Sequence, residues 1–391
     1  MKAETKEEFI KKVCNKIKFP QTITNQWIDK MFDEWQNAQN QWDCDWEMIW
    51  RWGFCYKDMS KFDLSQLDTK HLSMLTFNSS TIWPESKHMP KGFNPSKILQ
   101  NGKNPMLGIK DLHSQGITGK GVAVACIDNG FQGKNHIEFK NAKINVKDFA
   151  NDEAHFHSEC ALANLLGKNI GVAPDVECYF YSIDQENLSD IADQIVAAFD
   201  DIINKINSGI KIKAVSRSGP IFYENINDKQ ILEIYGSVEA YQKIKNRINK
   251  LEKLGCAVVD SGIFGKTFNC CDLKIFKKGS EADNIDFSSW QLSHLDLAKT
   301  LVSFVCAGKV VPEFCSNDGY KFEQVSCYSW TIPQAIGMYA LCLQVEPNLT
   351  WQAFTQLAQQ TAKTNKNGVK LANPKEMIKQ VDLQKENLIN Q

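Results

Sequence analysis

Asp128, His157 and Ser329 are the three residue types that, brought together, carry out nucleophilic acyl transfer. A serine hydroxyl keeps its proton at neutral pH, so a histidine must take it, and a buried carboxylate must orient the imidazole and stabilise its charged form. The order Asp, His, Ser along the chain is one of the known orders for such a set. Asp128 ends an apolar run, His157 opens a stretch of small residues, and Ser329 precedes Pro333 and a second apolar stretch. A serine at a turn entering a helix has backbone N–H groups nearby that can bind an oxyanion. Taken singly, each residue has a plainer reading as a turn residue, a polar-loop histidine or a helix cap.

The segments around these residues must position them. Residues 121–128 are an apolar run after a Gly-rich turn and read as a buried strand. Residues 157–167 suit a short helix, 176–183 a strand, 188–207 an amphipathic helix, and 212–216 a strand. A long charged helix is expected over 228–254 and a buried strand over 256–259. Residues 333–344 read as a helix opened by its proline, and 347–363 as another with Thr350 as N-cap. Strands alternating with helices imply an α/β domain with a mostly parallel sheet, in which the carboxyl ends of strands line the functional crevice.

The region before it differs. Residues 1–60 read as a helical N-terminal domain: Thr5 and Glu8 form a capping box, Pro20 breaks the first helix, and a second starts near Thr24 or Asn25. Trp27, Met31 and Trp35, then Trp42, Trp46 and Trp50, recur at four-residue spacing. This clustering fits the core of a small domain, or an aromatic groove for a partner or leader peptide. Residues 61–105, with Pro84, Pro90, Pro95 and Pro105, read as a linker or wrapped segment. The main domain is expected over 106–375, with a C-terminal tail over 376–391.

Composition narrows the setting. The chain has 391 residues and a formal net charge of -1, so no global basic field points to nucleic acid or an anionic membrane. It lacks a run of about 18 apolar residues, so no transmembrane helix is expected. Charges continue through the first residues where a secretory signal would be apolar. The 13 cysteines are odd in number, and several (Cys126, Cys256, Cys306, Cys342) sit in apolar runs. Buried free thiols in a reducing cytoplasm are the expectation.

Several motifs, in order, resemble the subtilisin-like serine peptidase (subtilase) family. Gly121-Val122-Ala123-Val124-Ala125-Cys126-Ile127-Asp128 looks like the segment around that family's aspartate, followed by His136 and Glu138-Phe139. His157 with Cys160-Ala161-Leu162-Ala163, then Gly171-Val172-Ala173-Pro174-Asp175, resembles the histidine element. Phe287-Ser288-Ser289-Trp290 and Val305-Cys306-Ala307-Gly308 resemble two further elements. Ser329 through Pro333 and Gly337 resembles the serine element, and Glu346-Pro347-Asn348-Leu349-Thr350 the loop after it. The resemblance covers residues 106–365. It implies a three-layer α/β domain and a serine endopeptidase acting on peptide or protein substrates, with Asp128, His157 and Ser329 as its catalytic triad. Val215-Ser216-Arg217-Ser218-Gly219 resembles the edge strand that pairs with an extended peptide. Ser216, Arg217, Ser218, Gly219 and Gly262 are therefore the expected substrate-binding residues. His155 competes with His157 as base, but it would put Glu159 where the helix buries an apolar side chain.

The match is loose at important points. Ser158-Glu159 follows the histidine where the family has Gly-Thr. Tyr328 and Trp330 flank the serine and are expected to narrow the cleft. The family's oxyanion asparagine follows the buried strand that here ends at Val259; the next residues are Asp260-Ser261-Gly262, and Asn269 lies too far along. Asp260 stands where it could meet a basic substrate residue. Zinc is disfavoured, because His155, His157, Cys160 and the adjacent Cys270-Cys271 lack paired-ligand spacing. Calcium is common in the family, yet no acidic loop identifies a site, so no cofactor is expected. The alternative to a cytosolic peptidase is a degenerate subtilase that binds peptide or protein without efficient cleavage.

Overall fold

The computed structural model describes residues 19–39, 53–72, 75–149, 155–184, 188–219, 231, 237–273, 282–284, 290–292, 301–307, 309–314, 316–323 and 328–389. The elements, in chain order, begin with helix α1 (Asn25–Gln39) and strand β1 (Phe77–Asn78). Then come β2 (Ala123–Asp128), β3 (Lys143–Asp148), α2 (Phe156–Leu166), β4 (Glu177–Ser182), α3 (Leu188–Asn207) and β5 (Ile212–Arg217). They are followed by α4 (Val238–Lys253), β6 (Ala257–Val259), α5 (Ser261–Thr267), β7 (Phe268–Leu273), β8 (Trp290–Leu292) and β9 (Val302–Ala307). The chain continues through β10 (Lys309–Pro312), β11 (Tyr320–Glu323), α6 (Tyr328–Val345), α7 (Trp351–Thr361), β12 (Lys363–Thr364), β13 (Lys370–Leu371) and α8 (Pro374–Ile389).

A five-stranded parallel sheet, in the order β3-β4-β2-β5-β6, forms the middle of the domain. Period-two alternation along β2 divides its side chains between two cores. Ala123, Ala125 and Ile127 face one way, onto the apolar sides of α3 and α4 (Ile195, Phe199, Ile244, Ile248). Val124 and Cys126 face the other way, onto α2 and α6 (Leu162, Leu165, Ile336, Ala340). The result is the mixed α/β, three-layer architecture expected from the sequence. Pairing continues the pattern: Ile127 lies opposite Arg217, and Asp128 opposite Ser182.

Two further sheets are present among the described residues. One has the order β12-β13-β9-β7-β8, with β7, β9 and β13 parallel. The other, β1-β11-β10, is antiparallel and pairs Phe77 with Phe322. Through it, residues 61–105 pack into the main core, with Leu64, Phe77 and Ile98 buried and Trp83 and Phe93 packed against them. Trp83 and Phe93 both meet the Phe77 ring edge-on. Of the two readings of this stretch, linker or wrapped segment, the packing of Phe77 on Phe322 fits the second.

The local chemistry of element ends follows the sequence closely. The Thr350 hydroxyl accepts from Ala353 N–H at 3.1 Å and starts α7, while Thr24 accepts from Trp27 N–H at 3.3 Å beside the start of α1. The capping box at Thr5, the residues Trp42, Trp46 and Trp50, and the Phe287-Ser288-Ser289 element lie outside the described residues. Eight cysteines among the described residues, including Cys126, Cys256 and Cys342, are free and buried. No helix among the described residues is long and apolar enough to cross a membrane.

Candidate active site

Asp128 is the last residue of β2, at the carboxyl end of the central strand, and it is fully buried. Its Oδ1 accepts the N–H of Asn129 at 2.8 Å and the Nδ1–H of His157 at 2.7 Å. A carboxylate is acceptor-only, so this bond assigns the imidazole proton to Nδ1 and leaves Nε2 as the basic nitrogen. Burial pushes the Asp128 carboxyl up. The His157 imidazolium, its hydrogen bond, the Arg217 guanidinium and the Asn129 N–H together outweigh burial and hold it below the ordinary carboxylate value.

His157 is the second residue of α2. His155 caps that helix, its Nδ1 accepting the His157 N–H at 3.2 Å. The two histidines thus divide the work: His155 turns to the helix end, and His157 turns to the carboxylate. One expectation is corrected here. Glu159 is buried, at 4% exposure, although His157 is the histidine on Asp128, and burial pushes the Glu159 carboxyl up to about 8. A Cβ on Gly133 would sit 3.0 Å from the Glu159 Cδ, so the loop after β2 rests directly on this carboxyl.

Ser329 is the second residue of α6, at 6% exposure. The helix begins five residues before Pro333 rather than at it. A proline inside a helix has no N–H for the carbonyl four residues back, and its ring pushes that carbonyl aside. The orphaned carbonyl is that of Ser329, and the Ser218 hydroxyl donates to it at 3.1 Å. The end of β5 is thereby joined to the turn that carries Ser329. A second contact joins that turn to α2: the Trp330 ring lies 5.1 Å from the His157 ring, centroid to centroid. Trp330 is 2% exposed and packs with Cys160, Ala161 and Val311, so it backs the histidine helix instead of narrowing an open cleft. Further along α6, a Cβ on Gly337 would come within 2.7 Å of Val172 Cβ, which fixes glycine at this helix–turn crossing.

The expected peptide-pairing segment is placed at the same carboxyl edge. Ser216, Arg217 and Ser218 are buried. Gly219 lies over the Arg217 guanidinium: a Cβ there would meet Nη2 at 3.0 Å. Gly262 falls inside α5, a helix the sequence reading missed although its N-cap signal, Asp260, was visible. The Asp260 carboxylate is fully buried and accepts the Ile263 N–H at 2.7 Å, so it is turned into the helix end. That placement removes it as a partner for a basic substrate residue. Asn269 is buried in β7, where its Oδ1 accepts the N–H of Cys270 at 2.8 Å. Tyr328 packs edge-on against Phe264, 5.8 Å between centroids. Among the described residues no group of three or more His, Cys, Asp or Glu side chains is arranged to hold a metal ion.

Two features escaped the sequence reading altogether: the Ser218 bond to Ser329, and the burial of Arg217 next to the end of β2. The first had a signal, a proline four residues after the serine. The second had none, because a strand-edge arginine reads as a solvated side chain.

No family model matches the chain, and no curated protein matches it. Among solved structures it is similar to the prenylagaramide maturation protease PagA, with 13% identity over 70% of this chain and 98% of that one and a TM-score of 0.46. A cold-adapted subtilisin-like serine proteinase is 16% identical over 65% of this chain and 89% of its own, with a TM-score of 0.41. Fervidolysin from Fervidobacterium pennivorans, a keratinolytic enzyme related to subtilisin, is 15% identical over 73% of this chain and 47% of its own, with a TM-score of 0.49. Identities this low say nothing about chemistry, because one fold hosts many reactions.

Proposed function

We propose that this chain is a divergent subtilisin-like serine endopeptidase that cleaves peptide bonds through an acyl-enzyme on Ser329. The observation that carries the reading is the 2.7 Å bond from His157 Nδ1–H to the fully buried Asp128, beside the helix turn that holds Ser329. In this mechanism His157 Nε2 takes the Ser329 proton as Oγ attacks the peptide carbonyl carbon. The C–N bond then breaks, and the departing amine leaves with the proton returned by His157. Water, deprotonated by the same nitrogen, attacks the ester, and release of the acid restores the hydroxyl. Asp128 stays ionised and stabilises the imidazolium that forms in each half. An extended peptide would pair its main chain along residues 216–219, near the carboxyl edge of β5. Buried free thiols suit a reducing compartment, and we assign the protein to the cytoplasm on that ground.

A second reading is a degenerate subtilase that binds peptide or protein without efficient cleavage. One observation favours it: Ser261 follows Asp260 where an oxyanion-binding asparagine is expected, and Asn269 is buried within a strand. Losing one such donor costs about 100–1000-fold in turnover.

A fluorophosphonate probe separates the two. The expected result is covalent labelling of Ser329, abolished in Ser329→Ala. Peptide binding with no labelling would establish the binding protein instead. Labelling that persists in Ser329→Ala would overturn Ser329 as the nucleophile.

A further inference from the structure

Arg217 is a fully charged side chain in a place that normally repels charge. It ends β5, directly opposite Ile127 on the neighbouring strand, one residue before Asp128. It is 2% exposed. Its guanidinium lies beneath the Gly219 main chain, and Nη1 donates to the Ile127 carbonyl at 3.5 Å. A buried ion without compensation costs several kcal/mol, by order of magnitude, so something must balance it. Among the described residues Asp128 is an anion on which its charge acts, and the Asp128 Oδ2 is buried with no hydrogen-bond partner there.

We infer that Arg217 is a positioning residue that pairs electrostatically with Asp128 and sets the pH at which His157 serves as base. This rests on the peptidase reading above. The logic is a balance of charge in a dry site. With His157 neutral, Asp128 and Arg217 sum to zero. Protonating His157 leaves a net positive charge there, whereas without Arg217 it would create a neutral pair. The arginine therefore favours the neutral imidazole, the form that accepts the Ser329 proton.

Among the described residues, the other groups facing this pair do not replace that charge. Cys126, on β2, and Cys160, on α2, are thiols held neutral by burial, which raises both. Glu159 keeps its proton up to about 8. His155 contributes an acceptor nitrogen to the His157 N–H, Asn129 contributes a backbone donor, and Trp330 a ring. Arg217 also lowers Asp128 as a charge, in line with the geometry.

The test is the rate of Ser329 labelling by a fluorophosphonate across pH 5–9, on the full chain. For the unaltered protein the midpoint is expected at or below the ordinary imidazole value of about 6.5. Arg217→Met should move it up by about one pH unit, which at pH 6 slows labelling roughly tenfold. Arg217→Lys keeps the charge and should return the midpoint, a rescue that loss of packing alone would not produce. An Arg217→Met midpoint equal to that of the unaltered protein would overturn the inference. So would an unaltered-protein midpoint a full unit above the ordinary value, a measurement that stands even where Arg217→Met does not fold. Absence of Ser329 labelling at every pH would instead sink the peptidase reading itself, and the inference with it.

Discussion

The two halves of the crevice are built on opposite plans. On the acid–base side, polar groups find their partners across elements: Asp128 from β2 meets His157 from α2 and the charge of Arg217 from β5. On the side after β6, Asp260 and Asn269 each accept a bond from close along the chain. Asp260 binds the N–H three residues on, and Asn269 binds the N–H of the next residue. Long-range bonds can assemble a reacting constellation, whereas local bonds shape turns and helix ends. One half thus joins a carboxylate to an imidazole across elements, and the other starts a helix.

The comparison can be broken at either half. The largest effect is expected from Asp128→Asn, which keeps the shape but offers His157 the wrong partner. Labelling of Ser329 should fall by about 10,000-fold, read as the second-order rate constant with the fluorophosphonate; a loss below tenfold would deny Asp128 its role. Next, Ser261→Asn adds an amide donor where the oxyanion side lacks one. Turnover of a peptide ester should rise by about 100-fold. No rise would mean that a backbone N–H already fills the place or that this turn does not face the carbonyl.

The smallest effect on rate is expected from Glu159→Gln, whose consequence is in stability. Glu159 holds its proton to about 8 in the folded chain, against 4.5 for an ordinary glutamate. Between those values the folded protein binds one more proton than the unfolded one, so stability falls as pH rises through the window. Urea unfolding midpoints at pH 5 and pH 8 should differ in the unaltered protein, and that part of the difference should vanish in Glu159→Gln. An unchanged difference would mean that Glu159 is not the group responsible.

Much of this was legible because it is periodic. The runs over 121–128 and 212–216 read as strands, and α3 spans the residues its amphipathic pattern marks. Caps at Thr350 and Thr24 announced themselves by residue type. What stayed hidden depends on pairing between distant segments. Phe77 gives no hint that its partner is Phe322, and a stretch read as a linker or wrapped segment does not say what it would wrap. Strand β7 begins immediately after α5, so Asn269 could be counted along the chain but not located in space. Choosing His157 over His155 left Cys160, Ala161 and Leu162 as the buried places of the helix; the structure buries Glu159 as well, and burial pushes its carboxyl up to about 8.

The pairing of Phe77 with Phe322 also imposes an order in time. A ribosome adding roughly 5–20 residues per second needs on the order of tens of seconds to make the intervening chain. Throughout that interval Phe77, Trp83 and Phe93 have no hairpin to cover them. The segment around Phe77 therefore waits, with aromatic surface uncovered, for a partner encoded much further along the message.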